Sequence, residues 1–129
     1  MQTVILDPML IIDLSETGFP RFESSANVQF AICDHIDREE LKPCEYQRLT
    51  ELIDVQDIEV LSVPGRHLGR YVQARKVLTV GQIASMATAI HVSGFLATRC
   101  SVYRRTASEF MNGELILSEG DLRSRYWLN

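Results

Sequence analysis

Seven cations stand in a stretch of chain that holds no acid. Between Val60 and Ser108 the sequence carries Arg66, Arg70, Arg75, Lys76, Arg99, Arg104 and Arg105, and no Asp or Glu. The formal net charge of the chain is −4, so this window contributes +7 and the remainder −11. A mixed chain with 17 acids in 129 residues would place about six of them there. An Ala- and Val-rich core segment accounts for missing acids but not for seven retained cations. Segregation of this kind builds an anion-facing surface on a protein whose overall charge guards it against unspecific sticking. The chemistry on offer is recognition: guanidinium groups donating to phosphates and to base edges.

Groups that would do covalent or acid–base chemistry show no such concentration. There is no Gly-rich phosphate loop, no GxSxG and no HExxH. His35, His67 and His91 stand apart in sequence and read as surface or packed histidines. Asp54, Asp57 and Glu59 read as a solvated acidic face. Cys33, Cys44 and Cys100 are odd in number and include no CxxC, which argues against a disulfide framework and for a cytoplasmic protein. Cys33-Asp34-His35 followed by Cys44 lacks a second ligand pair at a familiar spacing. No catalytic residue, metal or cofactor is therefore assigned, and no enzymatic activity is expected.

The elements that must position the cations can be read from periodicity. The start, to about Gly18, is rich in Val, Ile and Leu and broken by Asp7-Pro8; it predicts one or two short strands or an extended arm. Val28, Ala31, Ile32 and Ile36 share a helical spacing, although their composition also suits a strand. Pro43 opens a helix whose stripe is Tyr46, Leu49, Leu52 and Ile53. Ile58, Val60 and Val63 alternate as in a short strand ended by Pro64-Gly65. From Gly65 to about Leu78 the chain is basic and helical, with Leu68, Val72 and Ala74 free to pack. Thr79 caps a helix whose buried face is Val80, Ile83, Ala84, Ala87 and Ile90. Leu115-Ile116-Leu117, a turn at Ser118–Asp121 and the run Leu122–Leu128 predict a β-hairpin.

Composition limits the class: 46% hydrophobic and 23% charged residues describe an ordinary globular chain, excluding a disordered tail and a coiled-coil rod. No apolar run approaches the ~20 residues that cross a bilayer, so no membrane partner is expected. Met1-Gln2-Thr3 lacks the basic start of a secretory signal.

Two helical segments, about Ser93–Cys100 and Val102–Asn112, read SGFLATRC and VYRRTASEFMN across Ser101. Leu96, Cys100, Val102, Ala107 and Phe110 fall at the offsets a helix-turn-helix fills with small or apolar residues, and Ala97 suits the helix–helix contact. The segment Val102–Asn112 resembles the recognition helix of helix-turn-helix transcription regulators of the lactose-repressor type. That resemblance, over about 20 residues of the chain, implies that Arg104 and Arg105 reach base edges and that Thr106, Ser108 and Asn112 hold phosphates. Three positions depart from the pattern: Ser101 replaces the usual turn glycine, Gly94 weakens the first helix and Glu109 stands where a basic residue is common. A helix from Thr79, two further helices and a hairpin also resemble the order of winged helix-turn-helix proteins, with Arg123 and Arg125 on the wing. Separately, Leu68-Gly69-Arg70-Tyr71 with Gly113–Glu119 is similar to segments of chorismate-lyase-like proteins, but the spacing does not match.

The expectation is thus an α+β protein: a mostly helical C-terminal winged helix-turn-helix with a β-hairpin over 64–129, after a small acidic α/β region over 1–63. It would be a sequence-specific DNA-binding transcription regulator. Its DNA-binding residues would be Arg99, Ser101, Tyr103, Arg104, Arg105, Thr106, Ser108 and Asn112, with Arg66, Arg70, Arg75 and Lys76 on phosphates. One element covers few base pairs, so a homodimer on double-stranded DNA is implied, with the N-terminal region dimerising or binding a protein partner. The alternative is a non-enzymatic inhibitor or adaptor that docks an acidic protein on the basic surface.

Overall fold

The computed structural model describes residues 2–17, 27–35, 41–55 and 58–126. Among these, the elements in chain order are β1 (Gln2–Leu6), α1 (Pro8–Thr17), β2 (Val28–Cys33), α2 (Pro43–Val55), β3 (Glu59–Leu61), α3 (Gly65–Gly69) and a 3₁₀ segment (Val72–Lys76). There follow α4 (Val80–His91), β4 (Phe95–Ala97), α5 (Ser101–Ala107), a 3₁₀ turn (Gly113–Leu115), β5 (Ile116–Leu117) and α6 (Glu119–Tyr126). The strands form one sheet in the order β3-β2-β1-β4-β5, and every pairing is parallel. The register sets Val4 beside Phe30 on one side and Phe95 on the other.

A parallel sheet buries both faces, so successive residues of each strand feed two different cores. Val4, Leu6, Phe30, Ile32, Ala97 and Leu117 pack with Leu10, Ile11 and Leu14 of α1, Leu49 of α2, and Leu122 and Tyr126 of α6. Ile5, Ala31, Leu96 and Ile116 point the other way, onto Ile83, Met86 and Ala89 of α4, Tyr103 and Ala107 of α5, and Ala74 of the 3₁₀ segment. The result is three layers, with α4 buried from Ile83 through Ala89 between the sheet and the basic segment.

The parts that local chemistry dictates form as expected. Pro43 opens α2, and Thr79 caps α4 in a full capping box, its Oγ1 accepting from Gln82 N while Gln82 Oε1 accepts from Thr79 N, both at 3.1 Å. The strand expected around Ile58–Val63 is β3.

The winged helix-turn-helix, however, is not the fold. Its first helix, Ser93–Cys100, is β4 preceded by a turn. Ser93 adopts φ 54° and its N–H donates to Ile90 O, while Gly94 N–H donates to Ala89 O; together these close α4 in a Schellman motif. A Cβ at Gly94 would lie 2.5 Å from Thr3 O, so this glycine is what lets β4 lie against β1. The hairpin is also absent: Ser118-Glu119-Gly120-Asp121 opens a helix. Ser118 Oγ accepts from Asp121 N at 3.1 Å and Asp121 Oδ2 accepts from Ser118 N at 2.8 Å, so α6 stands where a second strand was expected. Arg123 and Arg125 therefore lie on α6 and on no wing.

Near the N-terminus, the expected arm is β1 followed by α1. Asp7-Pro8 starts that helix, since Asp7 Oδ1 accepts from Met9 N and proline suits the first helical position. The ambiguous run from Val28 is β2; Ile36 lies outside the described residues, as do Asp57 and the hairpin's expected end at 127–128. The sheet takes strands from both sides of residue 63, with β1 paired to β4. No helix among the described residues is long and apolar enough to cross a membrane.

Candidate functional site

The basic segment reaches its place because α4 needs cover. α4 is apolar on nearly every side, and α3 with the 3₁₀ segment lies across its outer surface, burying Ala74 and half-burying Leu68. Val72, expected to pack, is instead 63% exposed. Tyr71 meets Phe110 edge-on with ring centroids 5.5 Å apart, which ties this segment to the turn that follows α5. Both basic segments thus lie on one side of the sheet. Arg66, Arg70, Arg75 and Lys76 are exposed on the first, and Arg104 and Arg105 on α5. Among the described residues, none of these six lies within ion-pair distance of a carboxylate. The charge of Arg104 still reaches Asp121, whose carboxyl is held below its usual range first by hydrogen bonds from Ser118 and then by Arg125 and Arg104.

α5 is fastened to the body at its centre. Tyr103 is 0% exposed, and its hydroxyl donates to Gln82 O in the first turn of α4. Burial pushes its phenol well above the ordinary range. The helix begins two residues before that anchor and stops at Ala107, so of the recognition helix expected over Val102–Asn112 only the part to Ala107 is helical. Tyr103 is a core residue and makes no outward contact. Ser101, the first residue of α5, is exposed and Thr106 is half-buried. Ser108 donates to Arg105 O, and Asn112 caps the 3₁₀ turn by accepting from Glu114 N. Ser101, at i−3 from Arg104 and i−4 from Arg105, shares their exposed face of α5, whereas Ser108 and Asn112 lie beyond the end of the helix.

Arg99 leaves the basic surface altogether. Its guanidinium bridges Asp13 on α1 at 3.1 Å and Glu119 on α6 at 3.0 Å, and the hydrogen bond to Asp13 deepens its preference for the charged form. It spans the carboxyl edge of the sheet where the strand order reverses between β1 and β4, the place at which open α/β sheets commonly hold ligands. Beneath it, Asp7 is buried and its Oδ2 accepts from Thr98 Oγ1 at 3.0 Å. Asp7, Thr98, Ser85 and Thr88 are the buried polar side chains of the described residues, and nothing in the sequence pattern marks the last three. The roles visible here are helix capping and bridging. Glu119 also holds Arg123 at 3.0 Å.

Among the described residues no group of three His, Cys, Asp or Glu converges as a metal site. Cys33 is buried, which raises its thiol, whereas Cys44 is exposed on α2.

Two features of the basic side had no signal in sequence spacing. A groove of about 210 Å³ runs between the basic segment and α4, lined by Leu68, Gly69, Val72, Arg75, Val80 and Ile83. His67 and His91, 24 positions apart, bring their ring centroids to 4.5 Å. Comparison with known proteins adds no assignment: no protein-family model matches the chain, and no characterised protein matches its sequence.

Proposed function

We propose that this protein binds nucleic acid along its backbone, through the exposed cations of α3, the 3₁₀ segment and α5. The observation that carries this reading is the contrast in pairing. Arg66, Arg70, Arg75, Lys76, Arg104 and Arg105 have no carboxylate partner among the described residues, whereas of the five other described cations Arg48, Arg99 and Arg123 are ion-paired and Lys42 and Arg125 are not. Six desolvated carboxylate pairs would have made this surface structural; six open cations keep it available for phosphates. With α5 only seven residues long, affinity comes from phosphate contacts and carries little sequence information. A face that tracks a backbone needs no two-fold symmetry, so one chain suffices where a groove-reading element would have required a dimer. Three unpaired thiols support a reducing, cytoplasmic setting.

The test is binding of a random-sequence oligonucleotide as salt is raised. Contacts from six cations give a log–log slope of about −4 to −5. Neutralising Arg75, Lys76, Arg104 and Arg105 to Gln should remove most of that slope; unchanged binding by the fourfold variant would reject the proposal.

A second reading has its own support. The groove beside Arg75 is mostly apolar, and Val72 and Val77 stand exposed at 63% and 56% among the cations. Such a surface also suits an acidic amphipathic segment of another protein, with apolar anchors in the groove and carboxylates on the arginines. That binding would depend on the groove, so Val72→Asp would abolish it and leave oligonucleotide binding only modestly weakened.

A further inference from the structure

Histidines that serve a fold normally give or receive a hydrogen bond through a ring nitrogen. His67 and His91 do neither with any described residue, and neither is ion-paired. They come from different elements, His67 from α3 and His91 from the last residue of α4, yet their rings meet at 4.5 Å with a 52° tilt. His91 is exposed and His67 half-buried. Arg66 precedes His67 in the chain, and Arg70 lies three residues on, one helical turn away. Partial burial, the neighbouring His91 and the charges of Arg70 and Arg66 hold His67 below the usual imidazole range, which favours a neutral ring at neutral pH. Two guanidinium groups beside the pair also oppose a bound metal cation. What remains is a pair of rings in contact with each other, with no hydrogen-bond or ion-pair partner among the described residues, and with Arg66 and Arg70 near one of them.

Aromatic rings set among cations are how proteins hold single-stranded nucleic acid: phosphates go to the cations and unstacked bases lie on the rings. Histidine serves in this role for exposed bases. A base inside a duplex is stacked on both sides and has no free face to offer. We infer that the His67–His91 pair, flanked by Arg66 and Arg70, is a stacking subsite for an unpaired base of a single-stranded nucleic acid. This rests on the backbone-binding reading above and assigns its strand class: single strands in preference to duplex.

The experiment compares the full chain binding a short oligothymidylate, an abasic phosphodiester strand of equal length and the corresponding duplex. One stacked base makes the oligothymidylate bind roughly tenfold more tightly than the abasic strand. The double variant H67A/H91A brings the oligothymidylate down to the abasic affinity, whereas R66A/R70A weakens both strands together. In the unaltered protein, the imidazole proton resonances of both histidines shift when oligothymidylate is added and stay in place when the abasic strand is added. Equal affinity for the two strands, or imidazole resonances indifferent to the base, overturns the stacking subsite and leaves the backbone-binding reading intact. Failure of every strand to bind at low salt overturns both.

Discussion

The two faces of the sheet use charge in opposite ways. On the side of α1, α2 and α6, most cations meet carboxylates: Arg48 pairs with Glu16, Arg123 with Glu119, and Arg99 with both Asp13 and Glu119, while Lys42 and Arg125 stay unpaired among the described residues. These pairs join one helix to another, or one turn of a helix to the next. On the side of α4 and α5, six cations stand exposed and unpaired among the described residues. Both sides have a well-filled apolar core, so stability does not separate them. The difference teaches that a run of like charge in sequence becomes a surface only when the fold brings its segments to one side. Here it does so by laying the basic segment over α4 and anchoring α5 beside it through Tyr103.

The sharpest break to that comparison is at the anchor. Tyr103→Ala removes a fully buried ring and a hydrogen bond, and should cost about 3–5 kcal/mol in urea unfolding. A loss under 1 kcal/mol would mean that α5 is presented and not fastened. Gly94→Ala comes next: its methyl would meet Thr3 O, and pushing β4 off β1 should cost about 1–3 kcal/mol. Thr79→Ala removes one half of the capping box, for about 1 kcal/mol of thermal stability, with oligonucleotide binding unaltered. Arg99→Ala removes two bridges from a side chain that is 42% exposed to solvent, and should cost no more than about 1 kcal/mol. A markedly larger loss would show that Arg99 closes the edge of the sheet more tightly than its exposure implies.

The smallest effect concerns acid. Because Asp121 titrates below its ordinary range, its contribution is present above the unfolded carboxylate pKa of about 4 and is lost as pH falls through the depressed value. Asp121→Asn should therefore lower stability slightly at neutral pH and converge on the unaltered protein in acid, flattening the acid limb of the curve.

Where a local rule decides the outcome, the sequence was readable. Thr79 with Gln82 and the proline before Cys44 each fix a helix start, and the acid-free window foretells an exposed cationic side. The errors have two causes. A parallel sheet buries both faces, so β1 and β4 lack the polar alternation that marks a half-buried strand, and Leu96 and Ala97 pass for a helical face. Ser93-Gly94 and Ser118–Asp121 were read by composition, as the start of a helix and as a turn. Hydrogen bonding gives each the other meaning, an end and a beginning. The histidine pair could not be seen at all, since nothing along the chain says that α3 will cross the end of α4.

The most direct test of the account compares the two faces in one assay, the salt dependence of oligonucleotide binding. Gln replacements at Arg75, Lys76, Arg104 and Arg105 should lower the log–log slope by about three to four, whereas Gln at Arg48 and Arg123 should leave it where it was. Equal loss from both sets, or none from the first, would contradict the claim that the α4 side is the binding face.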